Sequence, residues 1–278
     1  MKEKLLIFFL VTHTNLCTSQ VTKSVLNFKN EKIRDLQINL ISADFSKIKF
    51  KLFIKNSSGP LPYMAFLNWS KNKNIYFYSS CAYVDDCDVE IGRPVGLSIN
   101  NHEIINKVVE PNILGLCLIN KDGQMQIKNL KTNLNIENKS NVNVTDAYYK
   151  NKIINYFANH FGNSFQSHLL WYNNQNLAVN FKSSPSSRRS LVITRNKNKI
   201  KEIHTASINS PISLKDFSNT LGEYFHSKRY IIESIIYLDT GCQDVFGSYT
   251  DKNIFVASKE FTGRVPIQNT STLLVAYQ

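Results

Sequence analysis

Three kinds of polar group sit at the edges of successive apolar runs in the second half of this chain. Gln166-Ser167 follow Phe165, Arg188-Arg189 open the run Ser190-Leu191-Val192-Ile193, and Asp239 closes the apolar segment from Tyr230 to Leu238. An amide can fix hydroxyl groups, and a guanidinium can hold an oxyanion through two hydrogen bonds. A carboxylate at the end of a buried strand is costly unless it is paired or open to a cleft. Folding can bring such edges to one end of a sheet, so these residues are the raw material of a polar site. Each also has a plainer use. Either arginine can be a surface charge beside a turn, and Gln166 can satisfy buried backbone. Asp239 can accept amide bonds from Thr240-Gly241-Cys242.

Other reactive side chains carry less. His168 titrates near neutral pH but has no partner visible in the sequence, which favours a surface or packing role. Asp85, Asp86, Asp88 and Glu90 could gather around calcium, yet their spacing matches no EF-hand loop, and a solvated acidic loop is the simpler reading. Of the five cysteines, Cys81 and Cys87 lack the spacing and the histidine pair of a zinc site. No metal site and no cofactor are expected, with a divalent cation left open.

The elements that must position these groups are legible as periodicity. Leu36 to Leu40 and Ile48 to Phe53 alternate polar and apolar residues as half-buried strands do. Met64 to Asn68 reads as a short buried strand ending on a polar residue. Gly92 to Asn101 reads as a loop leading into a strand, and Gly115 to Ile127 as a hairpin turning at Asp122-Gly123. The Asn-rich piece from Lys131 to Asn143 reads as a surface loop. Ala147 to Phe161 has helical spacing and stops at Gly162. Ser213-Leu214-Lys215-Asp216 is a capping box, followed by the stripe Leu214, Phe217, Leu221 and Phe225 of a helix that packs on a sheet. The near-continuous apolar run Tyr230 to Leu238 predicts a strand covered on both faces.

At 278 residues the chain can bury one sizeable core. Its start, Met1-Lys2-Glu3-Lys4 before Leu5 to Val11, has the cationic head and short apolar run of a secretory signal. Cleavage is expected after Ser19, leaving a domain over residues 20–278 that is secreted or periplasmic. No later run is long and apolar enough to span a bilayer, so no stable membrane insertion is expected. Export leaves Cys81, Cys87, Cys117 and Cys242, with up to two disulfides in any of three connectivities. The formal charge of +12 suits anionic partners such as phosphates and polyanionic glycans. No zinc-finger, RNP-type or Lys/Arg-tract signature points to nucleic acid.

The order of these pieces resembles the phosphodiester glycosidase family, which includes the lysosomal uncovering enzyme and many secreted bacterial proteins. In the family, a buried strand ends in Asn-Gly-Gly or Asn-Ala-Gly before an aromatic residue. There follow a Pro-x-Gly segment, a hairpin with a central Gly, a Gln-Ser-Gly-Pro piece, an Arg-containing strand entry and a strand ending Leu-Asp-Gly. Here Leu67-Asn68, Pro94-Val95-Gly96-Leu97, Lys121-Asp122-Gly123, Gln166-Ser167, Arg188-Arg189-Ser190 and Tyr237-Leu238-Asp239 stand in those places. The resemblance runs from Met64 to the C-terminus. Trp69-Ser70 follow Asn68, His168-Leu169 replace Gly-Pro, Leu191-Val192-Ile193 lack the family's glycine, and Thr240 follows Asp239.

The resemblance implies a single α+β domain with a mixed, curved β-sheet flanked by helices. It implies a hydrolase that cleaves a sugar from a glycosyl-1-phosphodiester, with a glycan or sugar phosphate as substrate. Asp239 and Arg189 would be catalytic, the arginine gripping phosphate and the carboxylate orienting water or stabilising the transition state. Arg188 stands in reserve for Arg189, because the register is ambiguous by one residue. Asn68, Gly96, Gln166, Ser167 and Arg188 would form the substrate site. The lost glycines imply the alternative, a catalytically degenerate member that binds glycan or serves as a structural exported protein. Oligomeric state is not encoded in any of these signals.

Overall fold

A computed structural model of the chain describes residues 27–56, 58–85, 92–132, 134–136, 139–144, 146–241, 243–249, 255–257 and 269–278. The expected signal at residues 1–19, Cys17, Cys87, Cys242, Asp86, Asp88 and Glu90 lie outside the described residues.

In chain order the strands and helices are β1 (Asn27–Ile33), β2 (Leu36–Asp44), β3 (Lys49–Ile54), α1 (Pro62–Ser70), β4 (Ile75–Ser79), β5 (Ser98–Asn100), β6 (Glu103–Asn106), β7 (Gly115–Ile119) and β8 (Met125–Asn129). They continue with β9 (Leu134–Ile136), β10 (Lys139–Val142), α2 (Ala147–His160), β11 (Asn163–Ser167), β12 (Leu169–Tyr172), β13 (Gln175–Asn176), β14 (Ser186–Arg195) and β15 (Lys201–Ile212). The chain closes with α3 (Leu214–Ser227), β16 (Ile231–Leu238), β17 (Phe246–Tyr249), β18 (Phe255–Ala257) and β19 (Thr272–Tyr277).

The expected α+β class holds. The strands are shared among a seven-stranded sheet ordered β1-β2-β15-β14-β16-β12-β13, two five-stranded sheets ordered β6-β5-β11-β7-β8 and β18-β17-β4-β19-β3, and the small pair β10-β9. Every pairing among them is antiparallel. Short connections and hairpins favour this arrangement, since parallel neighbours need long crossovers.

The large sheet is buried on both faces, as the apolar runs of β14 and β16 predict. One face carries Val192, Ile235 and Tyr237 and packs under Phe217, Leu221 and Phe225 of α3. The other carries Leu191, Ile193, Ile236 and Leu238 and packs against Phe50, Leu52, Cys117 and Phe165 of the smaller sheets. Helix α3 begins at the expected capping box: the Asp216 amide donates to Ser213 Oγ at 3.1 Å, and the Ser213 hydroxyl donates to Asp216 Oδ2 at 2.6 Å. Helix α2 packs Ile153, Ile154 and Phe157 onto β5 and β7. It ends where the sequence predicts, with Gly162 at φ +77°.

Two expected elements differ. Met64 to Asn68 lies inside α1, because Pro62 opens the helix and Tyr63, Phe66 and Trp69 fall on one side, against Phe53, Tyr78 and Tyr277. The apolar residues that suggested a buried strand include Met64 and Leu67, 47% and 40% exposed on the opposite side. The piece read as a surface loop contains the β9–β10 pair. Among the described residues no helix is long and apolar enough to cross a membrane.

Candidate functional site

Alternation along β14 decides which arginine reaches which side. Arg188, Ser190 and Val192 share the face toward α3, while Arg189, Leu191 and Ile193 point between the sheets. Arg189 is therefore an interior residue. Its Nη1 lies 2.7 Å from Asp244 Oδ1, its guanidinium sits 4.4 Å from the Phe246 ring centre, and its Nε is buried without a partner. Arg188 lies on the other side with its guanidinium 5.6 Å from the Tyr237 ring centre. Its Nε donates to Ile212 O at 3.1 Å, and its Nη atoms donate to Tyr237 Oη, Ser183 Oγ and Ser184 O at 3.2, 3.3 and 2.5 Å. It is 8% exposed, and no carboxylate among the described residues pairs with it.

Asp239 follows the last residue of β16 and is 3% exposed. Its backbone is pinned to the end of β4: Ser80 Oγ donates to Asp239 O at 2.7 Å, and Asp239 N donates to Cys81 O at 3.4 Å. Its Oδ1 accepts the Gly241 amide at 2.9 Å, the turn contact expected of this residue. Burial raises its carboxyl from 3.8 to about 6; the Gly241 amide opposes that rise, Asp244 adds to it and Arg189 opposes it again. Thr240 hydrogen-bonds Tyr237 Oη and donates to Ser187 O at 2.8 Å, which ties the turn back to β14.

Arg188, Tyr237, Asp239, Thr240 and Gly241 meet with Tyr83 around one pocket of about 160 Å3. Tyr83 stacks on Tyr237 at 5.7 Å and meets His168 edge-on at 5.3 Å. Burial, then Tyr237 and Asp239, push the Tyr83 hydroxyl well above its usual range. Burial, then the Arg188 charge, lower the His168 imidazole, which keeps it neutral. The pocket thus offers one cation, one carboxylate and two aromatic walls. A larger cleft of about 640 Å3 lies beyond the Val84–Pro94 bridge and includes Arg93, Asn106 and Glu110. It lacks both the buried cation and the perturbed carboxyl, so the smaller pocket is the better candidate for chemistry.

The other sequence candidates take separate places. Gln166 is fully buried in β11, where Oε1 accepts from Leu97 N and Glu110 N at 2.9 and 3.1 Å. Its Nε2 donates to Glu110 O at 2.7 Å and to Ile113 O. All its hydrogen-bonding capacity is spent on backbone, so it braces two loops. Gly96 belongs to the same brace: at φ +81° it lies so close that an added Cβ would sit 2.5 Å from Gln166 Oε1. Ser167 Oγ donates to Tyr237 O at 2.6 Å and joins β11 to β16 directly behind the pocket. Asn68 is exposed on α1 and does not line the pocket.

Sequence reasoning passed over β4 and the residues after it. The fully buried strand β4 runs into Ser80-Cys81-Ala82-Tyr83 and delivers Tyr83 to the pocket. Asp244, the partner of Arg189, was also missed; it follows Asp239 by too short an interval to stand out as a separate signal. Cys81 and Cys117 are free, buried thiols, and burial pushes Cys81 up to about 12. Among the described residues no three His, Cys, Asp or Glu side chains gather to hold a metal ion.

The fold and pocket together define an α+β domain with a polar site where β14 and β16 meet the end of β4. No protein-family model and no curated protein matches the chain. Among solved structures it is similar to the catalytic domain of zebrafish N-acetylglucosamine-1-phosphodiester alpha-N-acetylglucosaminidase, auto-inhibited by its pro-peptide. That similarity has 11% identity and a TM-score of 0.53, over 94% of this chain and 86% of that one. A hypothetical protein from Synechocystis is similar at 10% identity and a TM-score of 0.54, over 91% of this chain; the chain spans 61% of that protein's length. At such identity the likeness is one of fold.

Proposed function

We propose that the chain hydrolyses a glycosyl phosphodiester in the pocket between Arg188 and Asp239. The observation that carries this reading is a buried guanidinium without a described carboxylate partner, lining the same pocket as a buried carboxyl raised to about 6. The fold shared with a protein whose name describes cleavage of a sugar phosphodiester supports the substrate class.

The chemistry asks little of an acid. The bond between the anomeric carbon and the phosphate oxygen breaks, and the phosphate leaves as a stable anion. Water supplies the new oxygen at the anomeric carbon, and its proton passes to a base. Arg188 holds the phosphate and stabilises the charge that grows on it. Asp239, mostly ionised above pH 6, stabilises the oxocarbenium-like sugar or accepts the water's proton. Tyr83, backed by the buried Tyr237 ring on which it stacks, supplies an apolar face for the sugar. Arg188 takes the role that the sequence gave first to Arg189.

The pocket volume favours a second reading. About 160 Å3 is small beside the roughly 300 Å3 or more of common ligand pockets, and Thr240 closes a corner that glycine would leave open. A degenerate member would bind the sugar phosphate there without turnover. Incubation with a sugar-1-phosphodiester separates the two. Free sugar released by the unmodified protein and lost in Asp239→Asn supports the hydrolase, saturable binding without release supports the binder, and neither result sinks both.

A further inference from the structure

A second pocket lies at the other end of the seven-stranded sheet. It encloses about 380 Å3 and is lined by Lys29 of β1, Lys197 in the β14–β15 turn, and Lys228 and Arg229 between α3 and β16, with His204 also contributing to its wall. Arg229 lies just before β16 and Asp239 just after it, so at about 3.3 Å per residue the two pockets are roughly 25 Å apart or more.

Four exposed cations from three separate segments line one cavity whose described lining contains no carboxylate. Nearby acids are engaged around it: Glu31 Oε2 lies 3.7 Å from Lys228 Nζ, and Glu202 accepts from Tyr230 Oη at 3.0 Å and from Asn196 Nδ2 at 2.6 Å. Part of the cluster has a local cause, because Lys228 and Arg229 follow the C-terminus of α3, where cations complement the helix dipole. Lys29 and Lys197 have no such reason and arrive from other elements. Arg229 also keeps φ at +60°, a conformation usually left to glycine. His204 is buried and neutral beside them, hydrogen-bonded to Thr194 and Ser42 at 2.9 and 2.7 Å, and so adds no fifth charge. Lys228 has Glu31 beside it, and the remaining three cations leave an excess of positive charge at the pocket that favours an anion.

We propose that this pocket binds a multiply charged phosphate anion, either free or carried on a polymer, independently of the Asp239 pocket. Lysine ammonium groups and one guanidinium suit dispersed phosphate oxygens. The side-chain amide of Asn198 lies in the same lining.

The test is isothermal titration of the full chain at low ionic strength with inorganic pyrophosphate and with long-chain polyphosphate. Each is compared in the unmodified protein, a pocket variant (Lys197→Ala, Lys228→Ala, Arg229→Gly) and a charge-matched control (Lys71→Ala, Lys121→Ala, Lys131→Ala) built from exposed lysines. Glycine at position 229 suits the left-handed backbone, so the pocket variant keeps its fold. Pyrophosphate binding that weakens roughly tenfold or more in the pocket variant, and stays in the control, supports a site for the free anion. Polyphosphate binding alone with the same selectivity supports a site for a polymer-borne phosphate. No binding of either probe, or equal losses in the two variants, overturns the proposal. None of these readouts depends on sugar release, so this site and the proposed hydrolysis fail separately.

Discussion

Adjacent arginines on one strand make the sharpest contrast at the residue scale. Arg188 lines the pocket, whereas Arg189 neutralises buried Asp244. Arg189→Gln should leave Asp244 uncompensated and cost roughly 3–5 kcal/mol of stability, read as a lowered denaturant midpoint. Arg188→Gln gives up the hydrogen bonds to Ile212 O and Ser184 O and should cost a smaller amount, roughly 1–3 kcal/mol, while losing affinity for sugar phosphate by about a hundredfold. The opposite pattern would return the phosphate to Arg189. Asp239 yields a second contrast. Its folded carboxyl titrates at about 6 against an ordinary 3.8, so the fold binds the proton more tightly than the unfolded chain does. The stability that this gives is present below pH 3.8 and is lost as pH rises through 6. Asp239→Asn never pays that ionisation penalty. It should therefore be more stable than the parent at pH 7–8, by an amount on the order of 3 kcal/mol, with the advantage vanishing near pH 4. Equal stability curves across that range would show that the carboxyl is not held at a cost. The sequence showed that a carboxylate and a guanidinium stand at strand edges. It could not show which arginine faces the pocket, because alternation separates the two without saying which of two buried faces holds a site.

Two elements carry consequences of their own. The Gln166 brace ties β11 to the segments at Leu97 and at Glu110 to Ile113. Gln166→Leu would leave several buried backbone groups unpaired, and a loss of roughly 3 kcal/mol or more is expected in chemical denaturation. An unchanged midpoint would mean that the side chain serves a ligand instead. Strand β15 holds His204, whose imidazole burial lowers to about 3 from 6.5, with Lys29 adding to the effect. Between those values the unfolded chain takes up a proton that the fold refuses, so stability falls as pH drops from about 6.5 toward 3. Because Asp239 acts in the opposite direction between pH 4 and 6, the two partly cancel in the parent. His204→Gln should cost stability at pH 7 yet unmask the Asp239 effect, so that its urea midpoint rises as pH falls from 6 to 4 while the parent's changes little. A variant whose midpoint follows the parent's across that range would place acid sensitivity elsewhere. The hairpin β7–β8, α2 with its glycine stop and α3 with its capping box were legible because each rests on local chemistry. The segment Tyr63 to Trp69 was not, because its mostly apolar run masks the helical side that packs while leaving Met64 and Leu67 exposed.

Across the whole molecule, the sequence conveyed an α+β domain but not the division of its strands among several sheets. That division depends on which edges meet over long separations, such as Ser167 reaching Tyr237 and Ser80 reaching Asp239. The same long-range contacts build the pocket, and they bring the end of β4 to it while leaving Asn68 outside. The charge of +12 was plain from composition; its concentration around Lys29, Lys197, Lys228 and Arg229 required the fold. The central claim is that Arg188 and Asp239 act together on a sugar phosphodiester, and it is tested most directly by measuring free sugar released from a sugar-1-phosphodiester by the parent, Arg188→Gln and Asp239→Asn proteins, each shown to be folded. The account predicts release by the parent that rises with pH through about 6 and falls at least a hundredfold in both variants; no release by the parent, or release undiminished in Asp239→Asn, would contradict it.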